Sequence, residues 1–277
     1  MRSARRSRRR RRCRARAWRK SGAPCKRSER FDVQPALSFI VPAYNEEVML
    51  GETLRVLAAS ARSVGEAFEI IVVDDASADA TAQIARAHGA SVLRVDLHRI
   101  SAVRNAGARA AKGELLVFVD ADTLVPPATL AQMLAAVRRG AVGGGARVQL
   151  DSHGLSRWAR ALSAFSCWLV YRLRIAGGCF IFARREAFDA AGGFDERYFA
   201  SEEIHFGQAL KRIGRFTLVA APVMSSGRKL RLFSGWQLLR HGLRFAVRGW
   251  PALRRREGLE FWYDGRREAA DLRPRGR

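Results

Sequence analysis

From Phe31 onward short apolar runs alternate with helical patterns. Leu37-Ser38-Phe39-Ile40-Val41 reads as a strand ended by Pro42. Leu54, Leu57, Ala58 and Ala61 fall on one face at helical spacing. Glu69 to Val73, rich in β-branched residues, predicts a second strand. Ser77 is placed to cap a short helix that stops at Gly89. Ser91 to Val95 predicts a third strand, Ser101 to Ala111 a helix, and Leu115 to Val119 a fourth strand. Leu130, Met133, Leu134 and Val137 mark the next helix. This alternation predicts an α/β fold: a Rossmann-like, mostly parallel sheet flanked by helices, with its site at the carboxyl ends of the strands.

The pattern loosens after Gly140. Val142 to Leu150 and Cys179 to Ala183 predict strands. Between them Trp158, Leu162, Phe165, Leu169 and Leu173 form a stripe on a long helix. Phe206, Ala209, Leu210 and Ile213 predict another helix, followed by a strand from Phe216 to Ala220. Residues 230–277 read as a basic amphipathic C-terminal segment, with Leu232, Trp236, Leu239, Leu243 and Val247 at helical spacing. Both apolar stripes carry flanking arginines. They suit either the interface of a membrane or packing on the catalytic domain.

Charge separates the N-terminus from the rest. The 277 residues carry 50 Lys and Arg against 26 Asp and Glu, a net charge of +24. Residues 1–30 hold 15 of those cations and one acid, so +14 belongs to them and +10 to residues 31–277. The run Arg8 to Arg12 repels itself and has no apolar period, which predicts a disordered basic tail. A globular domain then spans residues 31–229. Apolar residues make up 48% of the chain, which excludes a wholly disordered or collagen-like protein. Cys13, Cys25, Cys167 and Cys179 form no C-x-x-C pair, which fits a reducing cytoplasm. No run of 18 uncharged apolar residues predicts a spanning helix.

Three strand ends carry acid. They read Pro42-Ala43-Tyr44-Asn45-Glu46, Asp74-Asp75-Ala76-Ser77 and Asp120-Ala121-Asp122. Like charges gathered at one sheet edge disfavour one another unless a cation or polar ligand offsets them. If Asp120 and Asp122 continue the strand, alternation puts both on one face. Magnesium and manganese take one or two such carboxylates and complete their shell with phosphate and water.

With Ala102-Val103-Arg104-Asn105-Ala106-Gly107, Gly192-Gly193-Phe194-Asp195-Glu196 and the pair Glu202-Glu203, these segments form an ordered set. The set resembles the family-2 glycosyltransferases of GT-A fold over residues 37–229. The resemblance implies metal-dependent, inverting, hexosyltransferase-like transfer from a nucleoside-diphosphate sugar to a sugar, lipid-linked or other hydroxyl acceptor. It implies that Pro42, Ala43, Tyr44, Asn45 and Glu46 line the nucleotide pocket through backbone groups and the Glu46 carboxylate. Asp74 reads the base with Asp75 beside it, and Arg104 approaches the diphosphate. Asp120, with Ala121, contacts ribose or sugar, and Asp122 holds a divalent Mg or Mn ion. The general base is Glu203, where the family usually has Asp, with Glu202 as its orienter or an acceptor contact. The cations of Ser225 to Lys229 could close over the diphosphate, and Gly177 and Gly178 leave room for a sugar. Localisation is then cytoplasmic, peripheral on the inner face of the membrane.

Two other readings differ in class. A nucleotidyltransferase needs a Gly-rich basic loop after the first strand, which Ala43 to Glu46 does not supply. A nucleic-acid- or anionic-surface-binding protein would act through the Arg-rich arm beside a non-catalytic GT-A-like domain, with affinity that falls steeply with salt. Nucleic acid is not the expected partner under the transferase reading.

Overall fold

A computed structural model describes residues 35–228 apart from 152, 155 and 200. The basic tail, the C-terminal segment and both proposed domain boundaries at 30/31 and 229/230 lie outside the described residues. The elements follow in the order β1 (Leu37–Ala43), α1 (Leu50–Ser63), β2 (Phe68–Asp75), α2 (Thr81–Ala87), β3 (Ser91–Val95), α3 (Ile100–Ala110), β4 (Leu115–Val119) and β5 (Thr123–Leu124). Then come α4 (Pro127–Arg138), β6 (Ala141–Leu150), α5 (Arg157–Arg172), β7 (Phe180–Arg184), α6 (Arg185–Ala190), α7 (Glu202–Ile213) and β8 (Arg215–Ser225).

One mixed sheet runs β3-β2-β1-β4-β7-β6-β8-β5. The first four strands are parallel, as the alternation predicts. The second half is mixed, with β7 antiparallel to both β4 and β6, and β6 parallel to β8. Pro42 does not end β1. Pairing with β4 stops at Ile40, while pairing with β2 continues to Ala43 opposite Asp74. The proline, which has no N–H, thus lies where β1 has already left one neighbour.

Each face of the sheet is covered. Leu50, Leu54 and Leu57 of α1 and Leu130 and Met133 of α4 pack with Phe39, Val41 and Val117 on one side. Val103 of α3, Phe188 of α6 and Phe206 and Leu210 of α7 pack with Ile40, Val73 and Phe118 on the other. Phe118 meets Phe194 edge-on at 4.9 Å and stacks on Phe188 at 5.7 Å. Burying each such ring contributes roughly 1.5–3 kcal/mol. This aromatic cluster anchors α7, which carries the two glutamates at its first turn.

Two local expectations need correction, and one open alternative narrows. Ser77 does not cap α2, whose N-cap position is Ala80 with no side-chain bond. Instead the Ser77 hydroxyl accepts from the Asn45 N–H at 3.0 Å. Asp120-Ala121-Asp122 does not continue β4, which ends at Val119. The Thr123 N–H donates to the Asp120 carbonyl at 3.0 Å, closing a turn, so strand alternation does not govern the two side chains. The stripe on α5 is not covered by the described residues, and no α5 residue is buried.

Candidate active site

The carboxyl ends of β2, β1 and β4 lie side by side, and their loops build one end of the site. Asp74 is fully buried, with Oδ1 accepting from the Ser77 N–H at 3.1 Å. Its Oδ2 has no hydrogen-bond partner among the described residues, and Arg94 Nη1 stands 3.8 Å away. A buried acceptor without a partner is costly, so this atom suits a ligand N–H. Asp75 is engaged otherwise: its Oδ1 accepts from the N–H groups of Leu97 at 2.7 Å and His98 at 3.2 Å. It fixes the loop after β3.

The loop after β1 is tied to the loop before α2. The N–H groups of Asn45, Glu46 and Glu47 donate to Ser77, Thr81 and Asp79. Asn45 Oδ1 accepts from the Ala78 N–H at 2.9 Å, and Asn45 adopts a positive φ of 51°. Those backbone donors are therefore engaged within the protein, which narrows the expectation that Pro42 to Glu46 binds a nucleotide through backbone groups. Pro42 and Ala43 belong to the buried strand. Tyr44 is exposed and meets His98 edge-on at 5.8 Å.

The turn after β4 sits on α1. Thr53 Oγ1 donates to the Ala121 carbonyl at 2.8 Å, and the Ala121 side chain joins the core. Its neighbours reach separate cations. Asp120 accepts from Arg104 Nη2 at 2.9 Å. Asp122 lies 3.2 Å from Arg228 Nη2, and the same guanidinium grips both Glu46 oxygens at 2.5 and 2.6 Å. Arg228 thus ties the end of β8 to the first and fourth strand ends.

Arg104 is the second organiser. It is buried in α3, donates to Glu202 Oε1 at 2.6 Å and to the Gly178 carbonyl at 2.8 Å, and stacks 5.3 Å above Phe194. Burial works against its charge, but Asp120, Glu202 and Glu203 outweigh that and raise its pKa. Glu202 is buried in this pair. Glu203 is only half-buried by surface area, and a methyl group on Gly178 would come within 3.4 Å of its carboxyl carbon. That is ordinary contact, as is the 3.6 Å it would leave to Arg104 Nη2. Burial first, then the Glu202 carboxylate, pushes the Glu203 pKa up to about 8, against the pull of Arg104. A carboxylate so poised can take a proton near neutral pH. Glu202 is also raised, chiefly by burial.

Asn105 joins two of the sequence segments that no local rule connects. Its Oδ1 accepts from the Phe194 N–H at 2.9 Å, and its Nδ2 donates to the Phe194 carbonyl and Glu196 Oε1. Their adjacency to Arg104 and to Gly193 was the available signal. His205 is half-buried and stacks on Tyr198 at 4.1 Å. Among the described residues no three His, Cys, Asp or Glu gather to form a metal cage. An ion held by Asp120 and Asp122 would have to bring phosphate and water as its other ligands, which magnesium and manganese accept.

The model of the family "Glycosyl transferase family 2" matches residues 38–192. An undecaprenyl-phosphate 4-deoxy-4-formamido-L-arabinose transferase of Pseudomonas aeruginosa is 34% identical over 134 residues, 46% of this chain and 40% of that protein. The chain spans well under half the length of the curated relatives it matches. S. aureus TarS 1–349 in complex with UDP-GlcNAc superposes with TM-score 0.54 at 22% identity, covering 69% of this chain and 58% of that one. The mannosyltransferase PcManGT of Pyrobaculum calidifontis, in complex with GDP-Man and Mn2+, gives TM-score 0.56 at 21% identity, covering 79% and 66%. These neighbours share the GT-A architecture of the sheet and its flanking helices. The order of the motifs, the sheet and the match across more than half of the sequence together place the chain in glycosyl transferase family 2.

Proposed function

We propose that the protein transfers a sugar, with inversion, from a nucleoside-diphosphate sugar to an acceptor hydroxyl. The observation that carries this reading is the meeting of Glu46, Asp120 and Asp122 around Arg104 and Arg228, with Glu202 and Glu203 on the other side of Arg104.

In this reading Asp74 accepts from a nucleobase N–H, and Asp75 holds the loop beside it. Asp120 meets the ribose or the sugar, and Asp122 with Asp120 would hold Mg or Mn on the diphosphate. The ion supplies charge neutralisation for the departing diphosphate. Arg228 exchanges its carboxylate partners for diphosphate oxygens, since a forked guanidinium suits either. Glu203 takes the proton of the attacking hydroxyl, and Glu202, locked to Arg104, orients that end of α7. The side chain is one methylene longer than the aspartate usual in the family. Relatives named as undecaprenyl-phosphate sugar transferases support a lipid-linked acceptor. No helix among the described residues is long and apolar enough to cross a membrane.

A thermal-shift screen of nucleoside-diphosphate sugars, with and without Mn2+, tests the reading. A ligand at 100 times its Kd adds about 2.7 kcal/mol of stability. One donor that stabilises only with the metal is expected. No stabilisation by any common nucleotide sugar would contradict it.

A further inference from the structure

Helix α5 presents its faces in the reverse of the usual order. Ala159, Ser163, Cys167 and Tyr171, four residues apart, are its half-buried positions, so a small and mostly polar stripe faces the protein. Trp158, Leu162, Phe165, Leu169 and Leu173 lie on the opposite side, between 40% and 78% exposed. Trp168 is exposed beside them and stacks on Phe165 at 5.7 Å. A contiguous apolar patch of this kind marks an interaction surface.

The charges select the partner. Residues 157–174 contain Arg157, Arg160, Arg172 and Arg174 and no acid. Arg157 and Arg160 sit in the first turn, where the helix dipole disfavours a cation and where acids are the norm. An external anion relieves that. Residues 230–277 carry 12 arginines and five acids, so charge does not favour them as a partner for this helix. A second copy would bring the same positive face. Aromatic rings and leucines on a helix with arginines and no acid match the interface of a negatively charged bilayer, where rings sit at headgroup depth and cations meet lipid phosphates.

We propose that α5 is the element by which this protein docks on an anionic lipid surface. Leu173 is five residues before Gly178, whose carbonyl accepts from Arg104. A docked α5 therefore holds the Glu203 side of the cleft next to the bilayer. That consequence rests on the glycosyl-transfer reading, whereas docking itself does not.

Flotation of the full chain with vesicles tests it, comparing phosphatidylcholine alone with phosphatidylcholine mixed with phosphatidylglycerol. The wild type is expected to float with the anionic vesicles only. The pair Trp158→Glu and Phe165→Glu should lower its partitioning by about tenfold or more, and the pair Trp158→Leu and Phe165→Leu should retain most of it. Circular dichroism melting of both variants checks that they fold. Three results would overturn the proposal. One is no flotation of the wild type, or equal flotation of the glutamate pair. Another is a lipid-free oligomer that the glutamate pair splits, which makes the face a contact between copies. The third is strong hydrogen-exchange protection of 157–173 without lipid, which means the chain covers it. Because the readout needs no donor, failure of the transferase reading leaves it interpretable.

Discussion

Arg104 and Glu202 form an ion pair at 2.6 Å in which both side chains are almost wholly buried. Through Nη2 the same guanidinium reaches Asp120 at the end of β4, so α3 links the diphosphate end of the proposed cleft to α7. Breaking a buried pair leaves an uncompensated charge, at a cost of about 3–5 kcal/mol. Arg104→Met should therefore lower the unfolding free energy by about that amount in urea titration. Arg104→Lys should recover only part of it, because an ammonium cannot fork between two carboxylates.

Glu203 gives a pH signature. Its folded pKa is pushed up to about 8, above the ordinary carboxylate value, so the native state holds its proton more tightly than the unfolded chain. The associated stability is full below about pH 4.5 and is lost as pH rises towards about 8. Glu203→Gln removes this dependence. Its melting temperature should exceed that of the wild type at pH 8.5, with the gap closing at pH 5. The wild-type turnover should climb with pH to a plateau above about 8, because the base acts only once deprotonated. Glu203→Gln should reduce kcat by about 100-fold or more while donor binding persists.

Arg228 pairs with Asp122 and Glu46, so in the proposed site it would compete with an incoming cation. Arg228→Ala should raise the affinity of the donor-free protein for Mn2+ several-fold by calorimetry, since repulsion from a nearby charge is removed. The same change should lower transfer, because a cation facing the diphosphate is lost. Weaker Mn2+ binding in the variant would show that Arg228 organises the carboxylates instead of blocking them.

Gly144 is fixed by its neighbour. A methyl group there would stand 1.8 Å from the Thr217 carbonyl oxygen on β8. Gly144→Ala should cost about 3 kcal/mol or more in denaturant titration, since neither backbone can yield without breaking the ladder. Gly178→Ala, whose new methyl meets only ordinary contacts, should leave stability nearly unchanged and act on Glu203 instead.

Much of the sheet was legible because its central strands are buried on both faces. Leu115 to Val119 is such a strand, and it and the partly exposed edge strand Ser91 to Val95 have the bounds the sequence predicts. Leu54, Leu57, Ala58 and Ala61 are all buried on α1, as their spacing requires. Short elements were less legible. The two-residue β5 and the six-residue α6 are set by tertiary pairing, with too few residues to show a period. The order of the acidic strand ends was readable, but their partners were not. Arg228 meets Glu46 across 182 residues, and Asn105 meets Phe194 across 89. No local periodicity encodes such pairs. The α5 stripe was visible as a stripe, but only the structure distinguishes an apolar face turned inward from one turned out.

The most direct measurement is calorimetric titration of the cognate nucleoside diphosphate, with Mn2+ present and absent, into the wild type and Asp122→Asn. Metal-dependent binding to the wild type, weakened at least about tenfold by the substitution, is the expected result. Equal binding to both proteins, or affinity that ignores the metal, would contradict a diphosphate held at the turn after β4.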